Sequence, residues 1–369
     1  MFIEELTVKS FRNYSNLQIS FAPGINFIIG NNGVGKTNIL EAISVISNIK
    51  SFRNINDSEI IKWNEDSYYC AVTVGNSNDS LFEIGCASAF DTIQKRLKID
   101  GKEIKSAVEY YGRLLTVILS PIDINIINGT PEFRRRFFDS VISKIDVSFF
   151  ETLGEFRKVL SSRNKLLKNI KNTGRDFNQL DVWDILLCEK AGFIINKRIS
   201  FVEKFNKLFQ NYYSIISEED APTISYFCTA ESDDSASILK KLTKLRKKDV
   251  LFGSSSIGPQ RDDFILANKK KIKFTNYASQ GQRRTAAVTL KISECEIVEA
   301  EKNKKSIILV DDIFSELDEK RRSQIIEVLQ RGNQIIFTMV HFDPLQLNKF
   351  RNYKGFYIEL PGIVRELKI

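Results

Sequence analysis

Residues 21–46 read FAPGINFIIGNNGVGKTNILEAISVI. Ile25 to Ile29 is a short apolar run typical of a buried parallel strand, and apolar residues recur at helical spacing from Asn38 onward. Between them, Gly30 to Thr37 satisfies the pattern G-x-x-x-x-G-K-[ST]. Glycines let backbone N–H groups close around phosphate oxygens, and the first helical turn directs its partial positive charge to the same place. The stretch therefore predicts a strand, a phosphate-binding loop and a helix.

This loop predicts a site for a nucleoside triphosphate, with ATP and Mg²⁺ as the expected ligands. We expect Lys36 to bridge the β- and γ-phosphates and the Thr37 hydroxyl to hold Mg²⁺. The alternative is a glycine turn that precedes a helix by chance. The candidates for nucleotide contacts are Gly30, Asn31, Asn32, Gly33, Val34, Gly35, Lys36, Thr37 and Asn38.

An acidic partner for the loop follows an apolar run near the C-terminus. Ile307 to Val310 predicts a buried strand, which ends in Asp311 and Asp312. Carboxylates at the C-terminal tip of a parallel strand face the crevice where ligands bind in open α/β sheets. We expect Asp311 to orient the Mg²⁺ shell through water, and Asp312 to act with Lys36 in catalysis by positioning or activating the attacking water. The alternative is a pair of solvated aspartates at the end of a strand.

Another strand is predicted at residues 333–340, and His341 follows it. A histidine at this place could contact a γ-phosphate. A lone histidine at a strand end is more often a surface residue, so both interpretations stay open.

Composition narrows the class of protein. With 369 residues, 43% hydrophobic and 27% charged, the chain is expected to be globular and to form two or three units. No run approaches the ~18 consecutive apolar residues of a membrane helix, and acids occupy positions 4 and 5, where a secretory signal would be basic. We therefore expect a cytoplasmic protein with no membrane partner. The five cysteines are widely spaced, which favours free buried thiols over zinc sites or disulfides.

A long insertion separates the phosphate loop from the Asp-Asp pair. Short alternating stretches in residues 70–110, with the turn signal Asp100-Gly101, predict an antiparallel sheet. Residues 132–215 predict long helices. Residues 151–210 hold twelve Lys or Arg against seven Asp or Glu, within a chain of net charge +8. This helical region is either a basic surface that contacts nucleic-acid phosphates or an ordinary solvated face.

Six stretches together resemble one family, the bacterial RecF recombination mediators, within the ATP-binding-cassette (ABC) ATPase heads of the SMC type. They occur in the family's order and are FRNY (Phe11 to Tyr14), GNNGVGKTNILEAI (Gly30 to Ile43), LSPIDINIINGTPEFRRRFFD (Leu119 to Asp139), GPQRDDF (Gly258 to Phe264), SQGQRRT (Ser279 to Thr285) and LVDDIFSELDEKRR (Leu309 to Arg322). In the comparison with the family, Ser120, Pro121 and Asp123 occupy the place of the loop that senses Mg²⁺ and the γ-phosphate. Gln260 stands where the family usually has histidine.

The resemblance implies an α/β fold, an ABC-type (SMC- or RecF-like) P-loop ATPase head with an antiparallel β subdomain and an inserted helical lobe. The resemblance implies three parts. Residues 1–130 form the N-terminal part of the head, with the phosphate loop and the antiparallel sheet. Residues 131–245 form the mainly helical lobe, and residues 246–369 form the C-terminal part of the head.

Heads of this type hold ATP between two protomers, and the resemblance assigns residues to that arrangement. It implies that Ser279, Gly281 and Gln282 form a signature that binds the partner's ATP. It also implies that Arg12 and Asn13 belong to a loop on the nucleotide side, and that Ser315 and Asp318 cross the dimer seam. Taken alone, Ser279 to Gln282 would be interpreted as a polar cap before a helix.

The function implied by the resemblance is ATP-dependent DNA binding in recombinational repair. The expected protein dimerises on ATP, binds double-stranded DNA near single-strand gaps, helps to load the RecA recombinase with the mediators RecR and RecO, and hydrolyses ATP slowly for release. Two alternatives stay open, the energy-coupling ATPase subunit of a transporter and an SMC-like structural DNA tether. The first shares the loop and signature, whereas the second needs much longer helical arms than this chain provides.

Overall fold

The computed structural model describes residues 1–75, 79–89, 92–313, 319–330, 333–340 and 353–367. The strands are β1 (Phe2–Phe11), β2 (Tyr14–Ser20), β3 (Ile25–Ile29), β4 (Ser67–Gly75), β5 (Ser80–Ala89), β6 (Thr92–Ile99), β7 (Lys102–Ile104), β8 (Thr116–Leu119), β9 (Thr223–Phe227), β10 (Asp263–Ala267), β11 (Ile307–Asp311), β12 (Ile335–Met339), β13 (Tyr353–Leu360) and β14 (Ile363–Leu367). The helices are α1 (Lys36–Asn48), α2 (Ala107–Tyr110), α3 (Ile124–Asn128), α4 (Pro131–Ile145), α5 (Val147–Thr173), α6 (Leu180–Ser217), α7 (Ser235–Lys244), α8 (Arg246–Phe252), α9 (Gln280–Lys302) and α10 (Glu319–Leu329).

The chain forms two compact units, one of residues 1–123 with 290–369 and one of residues 124–289. The boundaries expected from the sequence, at 130/131 and 245/246, therefore differ from those of the structure. Residues 246–289 join the helical unit because β10 pairs with β9, which precedes α7 in the chain. Hydrophobic periodicity does not reveal which earlier strand a later strand will pair with, so the sequence pattern carries no signal for this difference.

A six-stranded sheet in the first unit has the order β14-β13-β3-β12-β11-β8. The strands from β13 to β8 run parallel to their neighbours, and β14 alone is antiparallel to β13. β3 and β11 are buried at every position, as continuous apolar runs predict for central parallel strands. The carboxyl ends of β3, β12, β11 and β8 consequently meet at one edge, and the segments that follow them can build one site.

The same unit contains the predicted antiparallel sheet, which has the order β2-β1-β4-β5-β6-β7. Its inward residues share one hydrophobic core with α1 and with residues of β11 and β12. The turn Asp100-Gly101 joins β6 to β7, as its sequence indicated, and both residues have positive φ. α1 is buried from Ile39 to Ser47, so the helix that follows the phosphate loop is fixed by packing on both sheets.

The second unit contains α4, the long helices α5 and α6, the short helices α3, α7 and α8, the two-stranded antiparallel sheet of β9 and β10, and the start of α9. Its core is aromatic: Phe138 on α4 stacks on Phe264 of β10, with ring centroids 4.1 Å apart, and packs edge-on against Phe205 of α6. This arrangement confirms the predicted helical insertion.

Two arginines lie at the centre of this helical unit, each paired with carboxylates. Arg198 forms a bidentate pair with Asp139 at 2.8 and 2.9 Å and donates to the carbonyl oxygen of Pro259. Arg163 is fully buried and pairs with Asp184 and Asp249. Two of the twelve cations counted in residues 151–210 are therefore internal, and only the remainder contribute to a basic surface.

No helix in the part of the chain that the structure describes is long and apolar enough to cross a membrane.

Replacing Arg198 by Met should lower the free energy of unfolding by about 3–5 kcal/mol, because Asp139 would be left as a buried, uncompensated charge. Urea unfolding monitored by circular dichroism measures the change. The matched control is Arg157→Met on the exposed face of α5, which we expect to change stability by less than about 0.5 kcal/mol. Equal effects of the two substitutions would contradict the structural role of the Arg198–Asp139 pair.

Candidate nucleotide-binding site

The phosphate loop lies between β3 and α1 and follows a path that requires glycine. Gly35 has a φ of +105°, in the left-handed region. A Cβ on Gly35 would lie 2.6 Å from Nδ2 of Asn13, and a Cβ on Gly30 would lie 2.6 Å from the carbonyl oxygen of Ile358 on β13. The glycines of the motif therefore let neighbouring residues pack directly against the loop backbone. They would also let phosphate oxygens approach it.

Lys36, the first residue of α1, turns its ammonium group into the loop. Its Nζ donates to the carbonyl oxygens of Gly30 at 2.6 Å and Asn31 at 2.8 Å, and the side chain is 7% exposed. Burial lowers the pKa of Lys36, and the negative charges of Asp312 and Asp311 oppose that effect. The tip of the loop, in contrast, faces solvent at Asn31, Asn32 and Gly33.

One hydrogen bond joins the two predicted halves of the site. The Thr37 hydroxyl donates to Oδ1 of Asp311 at 2.8 Å, and the Thr338 hydroxyl of β12 donates to the same oxygen at 2.8 Å. Asp311 ends β11, which lies beside β12 in register with Thr338. Sequence reasoning missed Thr338, although it is the polar residue within the apolar run 335–340 and could have been found on that basis.

The Thr37 and Asp311 oxygens fit Mg²⁺. Magnesium in nucleotide sites is held by one or two protein oxygens together with substrate phosphates and water, at near-octahedral geometry. A threonine hydroxyl and a carboxylate oxygen 2.8 Å apart at a helix N-terminus meet this requirement, because the hydroxyl offers one hard oxygen, the carboxylate can hold a water of the ion, and neither encloses the ion.

Asp312 follows directly after β11 with a φ of +44°, a left-handed conformation that is uncommon for a residue with a side chain. The negative charge of Asp312 opposes the lowering of the pKa of Lys36. The other predicted residues near this edge, Ser315, Asp318 and His341, lie outside the described residues.

The turn between β1 and β2 contacts the junction between the loop and α1. Nδ2 of Asn13 donates to the carbonyl oxygen of Val34 at 3.2 Å, and Oδ1 of Asn13 accepts from the side chain of Asn38 at 2.8 Å. Asn13 thus lies beside the phosphate loop, the location that the resemblance implied.

Arg12, in the same turn, is bound to protein groups. It forms a bidentate pair with Glu41 at 2.9 and 3.0 Å and donates to the carbonyl oxygen of Glu59 at 2.9 Å. Glu41 on α1 is fully buried and also pairs with Arg53 at 3.3 Å. Sequence reasoning did not single out Glu41 or Arg53. A charged residue at an inward position of an otherwise apolar helix was the available signal for Glu41.

The segment after β8 reaches the same sheet edge, since Leu119 pairs with Val310 of β11. The Asp123 carboxylate accepts from the backbone N–H of Ser120 at 2.6 Å and from its hydroxyl at 3.3 Å. Burial raises the pKa of Asp123 to about 6, despite the opposing charge of Lys291 on α9. The predicted sensor segment is thus a tight turn closed by its own carboxylate.

In the helical unit, the predicted signature begins α9 and forms a reciprocal cap. The backbone N–H of Ser279 donates to Oε1 of Gln282 at 2.8 Å, and the backbone N–H of Gln282 donates to the Ser279 hydroxyl at 3.2 Å. Gly281 lies between them in the first turn. Arg283 supports the preceding segment by donating to the carbonyl oxygens of Ala278 and Thr275. The cap interpretation of these residues is therefore correct as local structure, and it leaves the Ser279 side chain exposed.

Gln260 has a local role in the same unit. Its Nε2 donates to the carbonyl oxygen of Ile257 at 2.7 Å. Nearby, Asp263 forms a bidentate pair with Arg134, so the GPQRDDF and RRRFFD stretches bind each other.

Comparison with known proteins identifies this arrangement. The RecF/RecN/SMC N terminal domain family matches residues 2–360. The DNA replication and repair protein RecF of Leptospira interrogans serogroup Icterohaemorrhagiae serovar copenhageni is 33% identical over 372 residues, which cover 100% of both chains. The chain belongs to the RecF family. A second RecF, from Thermoanaerobacter sp. (strain X514), is 37% identical over 346 residues, covering 92% of this chain and 94% of that protein.

Solved structures agree with the assignment to the RecF family. A structure described as the recombination mediator protein RecF with ATP in the RecFOR pathway superposes with a TM-score of 0.90 at 34% identity, covering 99% of this chain and 97% of that one. An SMC head bound to the C-winged helix domain of ScpA superposes with a TM-score of 0.54 at 16% identity and shows the shared fold alone. The fold is thus an SMC-type ATPase head, as predicted, and the chain is a member of a family of DNA replication and repair proteins. This assignment excludes the transporter-subunit alternative.

Replacing Asp123 by Asn should stabilise the protein more at pH 7.5 than at pH 5. The pKa of Asp123 in the folded chain, about 6, lies above its usual value of 3.8, so the charged form opposes folding above pH 6. That penalty is fully present above pH 6 and is lost as the pH falls from 6 to 3.8, so it is smaller at pH 5, whereas Asn carries no charge at either pH. Thermal or urea unfolding of the parent and of Asp123→Asn at both pH values measures the difference in stability between the two proteins. If that difference is the same at pH 7.5 and pH 5, the raised pKa of Asp123 is contradicted.

Proposed function

We propose that this RecF-family chain is an ATP-dependent DNA-binding protein of recombinational repair, which dimerises on ATP and hydrolyses it slowly to release DNA. The observation that carries the proposal is the hydrogen bond between Thr37 and Asp311, which unites the phosphate loop with the acidic strand end. The RecF structure described with ATP supports ATP as the ligand.

In this proposal the loop residues bind the triphosphate and Mg²⁺. Lys36 exchanges the carbonyl oxygens of Gly30 and Asn31 for the β- and γ-phosphates, a replacement of neutral acceptors by charged ones that favours binding. Thr37 and Asp311 hold Mg²⁺, Asp311 through water. When bound, the ion neutralises charge that develops on the phosphates. Asp312 positions the attacking water at the open end of β11.

The signature is proposed to act on the ATP of a second protomer. The Ser279 hydroxyl accepts from the N–H of Gln282, so its own proton can be donated to a γ-phosphate oxygen. Gly281 keeps the first turn of α9 free of a Cβ, and the helix N-terminus favours the negative phosphate. ATP then shifts the monomer–dimer equilibrium, because its γ-phosphate gains contacts that exist only in the dimer. Ser315 and Asp318 are proposed to cross the seam between protomers.

The DNA partner is proposed to be duplex DNA with a single-strand gap, contacted through phosphates. Exposed cations of the helical unit, such as Lys165, Lys168, Lys171 and Arg175, support a surface that neutralises phosphates. The RecFOR pathway, for which the related structure is named, supports partnership with RecR and RecO. We propose that the chain acts with them in the cytoplasm to load a recombinase.

Ser279→Arg should leave ATP binding by the monomer unchanged and abolish ATP-dependent dimerisation, because a bulky cation would occupy the place of the partner's phosphate. Light scattering measures the dimer, and displacement of a fluorescent ATP analogue measures binding. Lys36→Ala is the contrasting variant, since it should lose both. Loss of monomer binding in Ser279→Arg would place this residue in the protomer's own ATP site and overturn the trans arrangement.

Affinity for gapped duplex DNA should be higher with ATP than with ADP or without nucleotide, and should exceed affinity for blunt duplex. The logarithm of the association constant should fall linearly with the logarithm of salt concentration, because phosphate contacts release counterions. Fluorescence anisotropy titrations measure both effects. Nucleotide-independent DNA binding with no salt dependence would overturn the proposed function.

A further inference from the structure

The β1–β2 turn is built so that one side chain spans the junction between the phosphate loop and α1. Asn13 contacts Val34, which precedes Gly35, and Asn38, which follows Thr37. Its amide therefore closes a bridge over the segment from Gly35 to Thr37. That segment contains the residues that are proposed to bind the phosphates and Mg²⁺.

The conformation of Gly35 is coupled to this bridge. Besides the contact with Nδ2 of Asn13, a Cβ on Gly35 would lie 2.8 Å from Oδ1 of Asn13 and 2.9 Å from the Tyr14 hydroxyl. Tyr14 is fully buried, and its hydroxyl has no hydrogen-bond partner among the described residues. The turn thus packs against the bare Cα of Gly35, where both the left-handed φ and the close contacts with Asn13 and Tyr14 favour glycine.

A polar network fixes the turn itself. Asn38 accepts from Arg53 at 3.1 Å, Arg53 pairs with the buried Glu41, and Glu41 pairs with Arg12 of the same turn. The contacts run from Asn13 through Asn38, Arg53 and Glu41 to Arg12, which adjoins Asn13 in the chain. This closed network holds the Asn13 amide in one place. A side chain that restrains the loop has to be restrained itself.

We propose that Asn13 is a positioning residue, whose amide holds the phosphate loop in its binding conformation before any nucleotide arrives. Removing the amide weakens binding of the triphosphate moiety because the backbone N–H groups around Gly35 lose their orientation. The inference rests on the proposed function, because it takes the loop to bind a triphosphate. In this role Asn13 acts on the loop and does not contact the nucleoside.

The experiment compares two ligands, ATP and inorganic tripolyphosphate, in their displacement of a fluorescent ATP analogue. Asn13→Ala and Asn13→Gly should each weaken both ligands by about the same factor, on the order of tenfold for the loss of two hydrogen bonds. Asn13→Gly is included because glycine tolerates any turn conformation, so agreement between the variants excludes a misfolded turn. The matched control is Asn16→Ala, an exposed asparagine on the same hairpin, which should change neither affinity.

A second readout uses the protein without nucleotide. Hydrogen exchange at the amides of residues 33–37 should be faster in both Asn13 variants than in the parent or in Asn16→Ala, because the bridge restrains these residues in the free protein. Unchanged exchange in this segment, or weakened ATP binding with tripolyphosphate unaffected, would overturn the positioning role. A parent protein that binds neither ligand would instead overturn the proposed function, and the exchange measurement would still decide the role of Asn13.

Discussion

The structure depends on the meeting of Thr37, Asp311 and Thr338 at one sheet edge. Two hydroxyls donate to a single carboxylate oxygen, and the three residues come from the start of α1, the end of β11 and the end of β12. This contact requires β12 to lie between β3 and β11, with all three strands parallel. The strand order is therefore the constraint that makes one site from residues far apart in the chain.

The residues proposed to bind ligands also have local structural roles. Ser279 and Gln282 satisfy the first turn of α9 as a reciprocal cap, yet the hydroxyl keeps a proton to donate. Gly35 leaves room for Asn13, and in the proposed site it also leaves its backbone open to phosphate. Lys36 is held by loop carbonyl groups that a triphosphate would replace in the proposed site. A local structural role and the proposed ligand role are therefore compatible at each of these residues.

Buried ion pairs join separate segments in both units. In the helical unit, Arg198 and Arg163 are paired with aspartates inside the core and hold segments that are distant in the chain. In the first unit, the buried carboxylate of Glu41 on α1 pairs with Arg12 of the β1–β2 turn and with Arg53 of the segment after α1. A buried ion pair adds little net stability relative to apolar packing, whereas breaking one is costly, so these pairs mainly enforce one arrangement of the chain.

The phosphate loop, the strands before it and before Asp311, the antiparallel sheet and the helical insertion could be predicted from the sequence, because local patterns of hydrophobicity, glycine and charge encode each of them. The family resemblance rested on such local stretches and was confirmed by the comparisons. The folded chain was needed to show that Thr338 shares Asp311 with Thr37, that Glu41 binds Arg12 and Arg53, and that residues 246–289 belong to the helical unit. These contacts join residues far apart in the chain, and strand order and side-chain pairing leave no periodic signal in a single sequence.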